Sequence, residues 1–183
     1  GCPTVITVGA DPQCIGDYDF WSTLQRQSND CEPLLQDGEA PFLLMCTSGT
    51  TGPAKPLEVP LRAILAFKGD IRDAVELRKD DRFWNLADPG WAYGLYYAVT
   101  APLALGHSTL FYDGPFSVDS TCSVINKYAI TNLAGSPTAF RLLISSGMQF
   151  ADSIRDRLRV VSSAGEPLNP QVILWFAENL GVV

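Results

Sequence analysis

Thr47-Ser48-Gly49-Thr50-Thr51-Gly52 is an unbroken run of hydroxyl-bearing residues and glycines, and Lys55 follows three positions after its second glycine. Glycine permits a sharp turn and brings backbone N–H groups close to a ligand. Converging amides and hydroxyls, joined by one cation, suit a polyanion such as a triphosphate. The Gly-x-x-x-x-Gly-Lys-Ser/Thr pattern of the common nucleoside triphosphatases does not fit, because Ala54 precedes Lys55 and Pro56 follows it. Pro56 also removes an amide donor and stiffens the loop exit. Residues 87–94 and 163–168 are further turn-rich segments, built around Asp88-Pro89-Gly90-Trp91 and Gly165-Glu166-Pro167.

Each of these segments follows a run of strand character. Phe42–Cys46 reads as a buried strand with Cys46 in the core, Phe83–Leu86 as a second strand and Leu158–Ser162 as a third. Val5–Val8, His107–Tyr112 and Asn132–Ala134 read the same way. Apolar residues at helical spacing mark Pro60–Arg78, and Tyr93–Leu105 reads as a buried helix ended by Gly106. Tyr18–Arg26 forms a short helix opened by Asp17, and Val118–Tyr128 and Pro137–Ser146 are longer ones. Pro170–Asn179 is a helix with Asn169 as N-cap and Pro170 at the first helical position. Tyr93 and Tyr97 read as core side chains, and Arg155, Arg157 and Arg159 as a solvated turn. Strands alternating with helices predict an α/β fold: a layered, largely parallel sheet flanked by helices. Ligands in such sheets sit at the carboxyl ends of the strands.

The hydroxyl-rich run resembles the phosphate-binding loop of the AMP-forming acyl-CoA synthetases in the adenylate-forming superfamily. That pattern is Thr-Ser-Gly-Ser/Thr-Thr-Gly, two variable positions, then Lys-Gly. Thr47, Ser48, Gly49, Thr50, Thr51, Gly52 and Lys55 match it, while Ala54 replaces a common proline and Pro56 the usual glycine. The likeness continues in order through residues 42 to 180. Asp88-Pro89-Gly90-Trp91 is similar to the Asp-x-Gly-Trp segment of acetate and medium-chain members, with Tyr112-Asp113-Gly114 beyond it. Ala134-Gly135-Ser136-Pro137-Thr138-Ala139-Phe140-Arg141 resembles the Ala-Pro-Thr-Ala-x-Arg element, and Gly165-Glu166-Pro167-Leu168-Asn169-Pro170 the adenine-contacting segment.

The resemblance implies roles residue by residue. Thr47 through Gly52 and Lys55 would bind the phosphates of ATP, and Gly165, Glu166 and Pro167 would wall the adenine. Trp91, Ala92, Tyr93, Gly94, Ser136 and Pro137 would bound the acyl and pantetheine pocket. The implied reaction joins a short- or medium-chain carboxylate to ATP as an acyl-adenylate, releases pyrophosphate, then transfers the acyl group to CoA and releases AMP. ATP, Mg2+ and CoA are the implied cofactors. The family's magnesium-holding glutamate, ribose-binding aspartate and mobile-domain lysine find no counterpart, and no residue of this chain is given a catalytic role. Residues 1–183 accordingly read as one incomplete domain, the central part of an AMP-binding domain without its small C-terminal domain, and inactive or nearly so alone. Two rival readings are a truncated, non-catalytic nucleotide- or pyrophosphate-binding module, and an adenylation domain loading a carrier protein.

Composition bounds the remaining possibilities. Lys+Arg 13 against Asp+Glu 20 gives net charge −7, which disfavours a nucleic-acid surface. One histidine, and cysteines at positions 2, 14, 31, 46 and 122 without Cys-x-x-Cys spacing, disfavour a zinc site. Unpatterned cysteines in odd number point to a reducing compartment, hence the cytoplasm. No apolar stretch reaches the roughly 18 residues of a membrane span. The partners expected are small molecules (the carboxylate, ATP and CoA), and an uncovered sheet edge would favour self-association.

Overall fold

The computed structural model describes residues 4–9, 16–47 and 52–182, and the chain forms two compact units, Gly1–Gln36 and Asp37–Val183. In the first unit, β1 (Ile6–Thr7) pairs in parallel with β2 (Tyr18–Asp19), which runs into α1 (Phe20–Leu24). The helix is shorter than its sequence suggests, and Asp19 is its cap: the Ser22 N–H donates to Asp19 Oδ1 at 2.8 Å. Asp17 instead accepts from the Val5 N–H at 2.9 Å.

The second unit opens with an antiparallel pair, β3 (Pro41–Thr47) and β4 (Lys55–Pro60), in which Thr47 faces Lys55 and Cys46 faces Pro56. This corrects two expectations. Lys55 and Pro56 belong to a strand, not to a loop exit, and β3 is not buried: Leu44 is 65% exposed and Cys46 is exposed. Among the described residues no third strand is hydrogen-bonded to this pair, which leaves strand-edge positions where a proline such as Pro56 is tolerated.

After β4 come α2 (Ala63–Asp73), β5 (Phe83–Asn85) and a helical stretch in three parts. Those parts are α3 (Ala92–Gly94), a π-helical segment (Leu95–Thr100) and α4 (Ala101–Ala104). Then follow β6 (Thr109–Leu110), α5 (Val118–Tyr128), β7 (Asn132–Gly135), α6 (Pro137–Ile144) and α7 (Met148–Ser153). β8 (Val160–Ser163) and α8 (Pro170–Leu180) complete the order. Four strands form one sheet in the order β6-β5-β7-β8, every pair parallel.

Period-two alternation sends successive strand residues to opposite faces. Trp84 and Leu133 join a core with Ile125, Phe140, Phe150 and Phe176, from α5, α6, α7 and α8. Phe83 and Ala134 join a second core with Ile71 of α2 and Ala101 of α4. Helices thus cover both faces, giving the layered α/β architecture expected.

The amino-terminal edge of this sheet is bolted by charge. Arg159 donates to Asp81 through Nη2 (2.6 Å) and Nε (3.1 Å), and to the Glu76 carbonyl at 2.6 Å. Thr131 Oγ1 donates to Asp81 Oδ1 at 2.8 Å, the oxygen that also accepts from Arg159 Nε. Burial would raise the Asp81 pKa, but the hydrogen bonds from Arg159, the Arg78 N–H and Thr131 outweigh it and hold it at about 2. Arg159 is therefore not a solvated turn residue. It ties the entry of β8 to the turn before β5, while Arg155 pairs with Asp152 on the surface.

Candidate functional site

The chain passes from β5 to β6 on one side and places β7 on the other. The carboxyl ends of β5 and β7 are therefore the point where the winding reverses, the place where open parallel sheets hold ligands. Residues 86–94 leave one of these strands and Gly135-Ser136-Pro137 the other. They start in contact: the Leu86 N–H donates to the Ala134 carbonyl at 2.8 Å. A Cβ on Gly135 would meet Leu86 Cδ1 at 3.1 Å and the Phe140 ring at 3.2 Å, so this position is tight for any larger residue.

The turn after β5 is internally built. The Gly90 N–H donates to Asp88 Oδ1 at 2.6 Å and the Trp91 N–H to the Asp88 carbonyl at 3.0 Å. Gly94 then returns against that turn, where a Cβ would lie 2.1 Å from the Asp88 carbonyl oxygen. Trp91, the residue preceding α3, is 70% exposed and Ala92 is exposed, so neither is core. Tyr93 is half-buried, and burial together with the neighbouring Tyr97 pushes its pKa up to about 12. Tyr97 donates its hydroxyl to Asp70 Oδ2 at 2.7 Å.

Ser136 is the N-cap of α6, accepting from the Ala139 N–H at 3.2 Å, and Pro137 is buried at the first helical position. Next along the sheet, β8 pairs Ser163 with Gly135, and Ser163 Oγ donates to the Gly135 carbonyl at 3.0 Å. Gly165, Glu166 and Pro167 follow as an exposed loop, with Gly165 at φ +95°, the left-handed region that favours glycine. The Glu166 carboxylate reaches back to α6, accepting from Thr138 Oγ1 at 2.7 Å and from Arg141 Nη2 at 3.2 Å.

The structure thus brings the Trp91–Gly94, Ser136–Pro137 and Gly165–Pro167 segments to one edge of one parallel sheet. Thr47 ends β3, Lys55 begins β4 with an exposed side chain, and Gly52 is exposed. Ser48, Gly49, Thr50 and Thr51 lie outside the described residues. Sequence alone assigns Thr138 and Arg141 no role. Their signal was the Ala-Pro-Thr-Ala-x-Arg likeness, which placed them on the helix but not against Glu166.

Asn85, also unassigned from sequence, ends β5 beside a cavity of about 470 Å³ that Asp88, Tyr112, Asp113 and Thr121 help to line. Its Oδ1 accepts from the Ala87 N–H at 2.9 Å, while its buried Nδ2 finds no acceptor among the described residues. No Lys, Arg or His lines that cavity, which makes it a poor seat for phosphate. The described residues contain no group of three or more His, Cys, Asp or Glu able to hold a metal ion. None of their helices is long and apolar enough to cross a membrane.

A parallel sheet flanked by helices, with its candidate site at the switch point, defines an open-sheet α/β protein, and comparison with known proteins narrows the class. The model of the AMP-binding enzyme family matches residues 3–183, and the chain belongs to that family. It is 34% identical over 173 residues to the acetyl-coenzyme A synthetase of Psychrobacter cryohalolentis, covering 91% of this chain and 26% of that protein. The acetyl-coenzyme A synthetase of Helicobacter acinonychis is 34% identical over 170 residues, covering 90% of this chain and 26% of that protein. The chain thus spans about a quarter of the length of the curated relatives it matches. The crystal structure of an acyl-CoA synthetase from Brucella canis superposes with a TM-score of 0.92 at 53% identity, covering 99% of this chain and 33% of that one. An anthranilate CoA ligase solved with anthranoyl-AMP shares the fold, with a TM-score of 0.87 at 23% identity over 98% of this chain and 35% of that one.

Proposed function

We propose that this chain supplies the nucleotide- and acyl-contacting part of an ATP-dependent, AMP-forming acid–thiol ligase. Thr47, Ser48, Gly49, Thr50, Thr51, Gly52 and Lys55 hold the β- and γ-phosphates of ATP. Gly165, Glu166 and Pro167 form a wall of the adenine slot, and Trp91, Ala92, Tyr93, Gly94, Ser136 and Pro137 bound the acyl group and the thiol arm of CoA. The observation that carries this reading is the grouping of the last three segments at the carboxyl ends of β5, β7 and β8. Family membership supplies the reaction class.

The chemistry asked of these residues is positioning and charge neutralisation, since the carboxylate itself attacks the α-phosphate. The new bond joins the carboxylate oxygen to the α-phosphorus, and the bond to the bridging oxygen breaks, releasing pyrophosphate. The CoA thiol then gives up its proton to water, its sulfur bonds to the acyl carbon, and the bond from that carbon to the phosphate oxygen breaks to release AMP. Amides and hydroxyls of residues 47–52 would stabilise charge on the departing pyrophosphate, and Lys55 would add a positive charge close by. Mg2+, when bound to ATP, neutralises phosphate charge, and we assign it no ligand in this chain. Trp91, large and exposed, narrows the acyl side and favours a short acid.

The test uses the product of the whole reading frame that contains residues 1–183. Incubated with ATP, Mg2+, CoA and a panel of carboxylates from acetate to octanoate, it is expected to form acyl-CoA and AMP in equal amounts, fastest with the short acids. ADP instead of AMP as product, or no thioester with any acid, would refute the proposal.

A further inference from the structure

The loop that carries Gly165, Glu166 and Pro167 is exposed along its length. Among the described residues, its side-chain hydrogen bonds are those of the Glu166 carboxylate alone. Both donors lie one helical turn apart on α6, Thr138 near its start and Arg141 further on. They are also bonded to each other, Arg141 Nη2 to Thr138 Oγ1 at 2.6 Å, so the three groups close a triangle. The carboxylate sits by the first turn of α6, the favourable end of the helix dipole.

An ion pair this exposed, with Arg141 at 46% and Glu166 at 41%, adds little to folding stability. What it does add is position. It fixes an otherwise loosely held loop against the helix whose cap is Ser136 and whose first residue is Pro137. We propose that Thr138 and Arg141 are positioning residues for the adenine wall: through Glu166 they hold the 165–167 loop in register with the carboxyl end of β7. This deepens, and rests on, the nucleotide-site reading given above. A loop held in its bound shape beforehand loses less freedom when the ligand arrives, so the triangle acts on nucleotide affinity.

The experiment compares Arg141→Gln, Thr138→Val and Arg141→Lys in the full reading-frame product, with Arg155→Gln as a matched control that breaks another exposed ion pair. Arg141→Gln and Thr138→Val are expected to raise the KM for ATP by about five- to tenfold, with kcat and the carboxylate KM within about twofold. Arg141→Lys, which keeps one donor and the charge, recovers part of the loss, and Arg155→Gln changes nothing. Thermal unfolding of all four should match the unsubstituted protein within about 2 °C. An unaltered ATP KM in Arg141→Gln, or equal losses in kcat and both KM values together with lowered thermal stability, would overturn the proposal. Failure of the unsubstituted protein to form acyl-CoA would refute the underlying site instead, so the two outcomes are distinguishable.

Discussion

Gly94 shows how little room a single residue can have. Its absent side chain is what lets the start of the helical stretch press on the backbone of Asp88 and Ala87. Gly94→Ala is therefore expected to destabilise the fold by about 1–3 kcal/mol, the usual cost of forcing extra volume into a packed place. A lowered thermal midpoint would show it, and an unchanged midpoint would mean that the turn yields freely. Gly52 is the contrast: among the described residues nothing lies within 4 Å of its Cβ position. In the proposed phosphate site Lys55 supplies the positive charge. Lys55→Ala in the full reading-frame product is expected to slow carboxylate-dependent pyrophosphate exchange by about tenfold or more. Exchange at the original rate would remove Lys55 from the phosphate site.

At the scale of elements, the sheet is held from two ends by different forces. Its carboxyl edge is set by backbone pairing and tight glycines, its amino edge by Arg159 and Asp81. The Asp81 side chain is only 3% exposed, so removing its partner strands a buried carboxylate. Arg159→Gln is expected to cost about 3 kcal/mol, against less than about 1 kcal/mol for Arg72→Gln at an exposed pair. Chemical unfolding of the two variants compares them directly. The pH dependence follows from the same bond. Asp81 titrates lower in the folded chain than in the unfolded one, so its contribution is complete above about pH 4 and vanishes as pH falls through about 2. In Arg159→Gln the acid-side slope of stability should flatten, and a slope identical to the unsubstituted protein would contradict the assignment.

The elements were legible in the sequence where local chemistry settles them. Val118–Tyr128 has the bounds expected, because apolar spacing and a Ser117–Ser120 capping box agree. Pro170 and Asn169 likewise open α8 as read. The misses have a common physical origin, since each depends on what lies beside the residue in the fold. β4 carries Pro56 and Pro60 and reads as loop and helix start until β3 lies beside it. Cys46 looks like core until β3 proves to have an uncovered face. Arg159 looks like one of three surface arginines, because Asp81 lies 78 residues away. Of the site, the Trp91, Ser136 and Gly165 segments were legible as motifs. Their meeting at the switch point, and the Glu166 triangle, needed the strand order β6-β5-β7-β8.

At the scale of the whole molecule, the chain is an AMP-binding family member in which the Trp91, Ser136 and Gly165 segments follow strands of one parallel sheet. Its acyl-CoA synthetase relatives are about three to four times its length. Under the function proposed above this arrangement serves to activate an acid as its adenylate, and pyrophosphate exchange isolates that step. Labelled pyrophosphate, incubated with ATP, Mg2+ and the full reading-frame product in the absence of CoA, should enter ATP only when a carboxylic acid is added. Incorporation that ignores the acid, or none with any acid that the protein binds, would rule out adenylate formation.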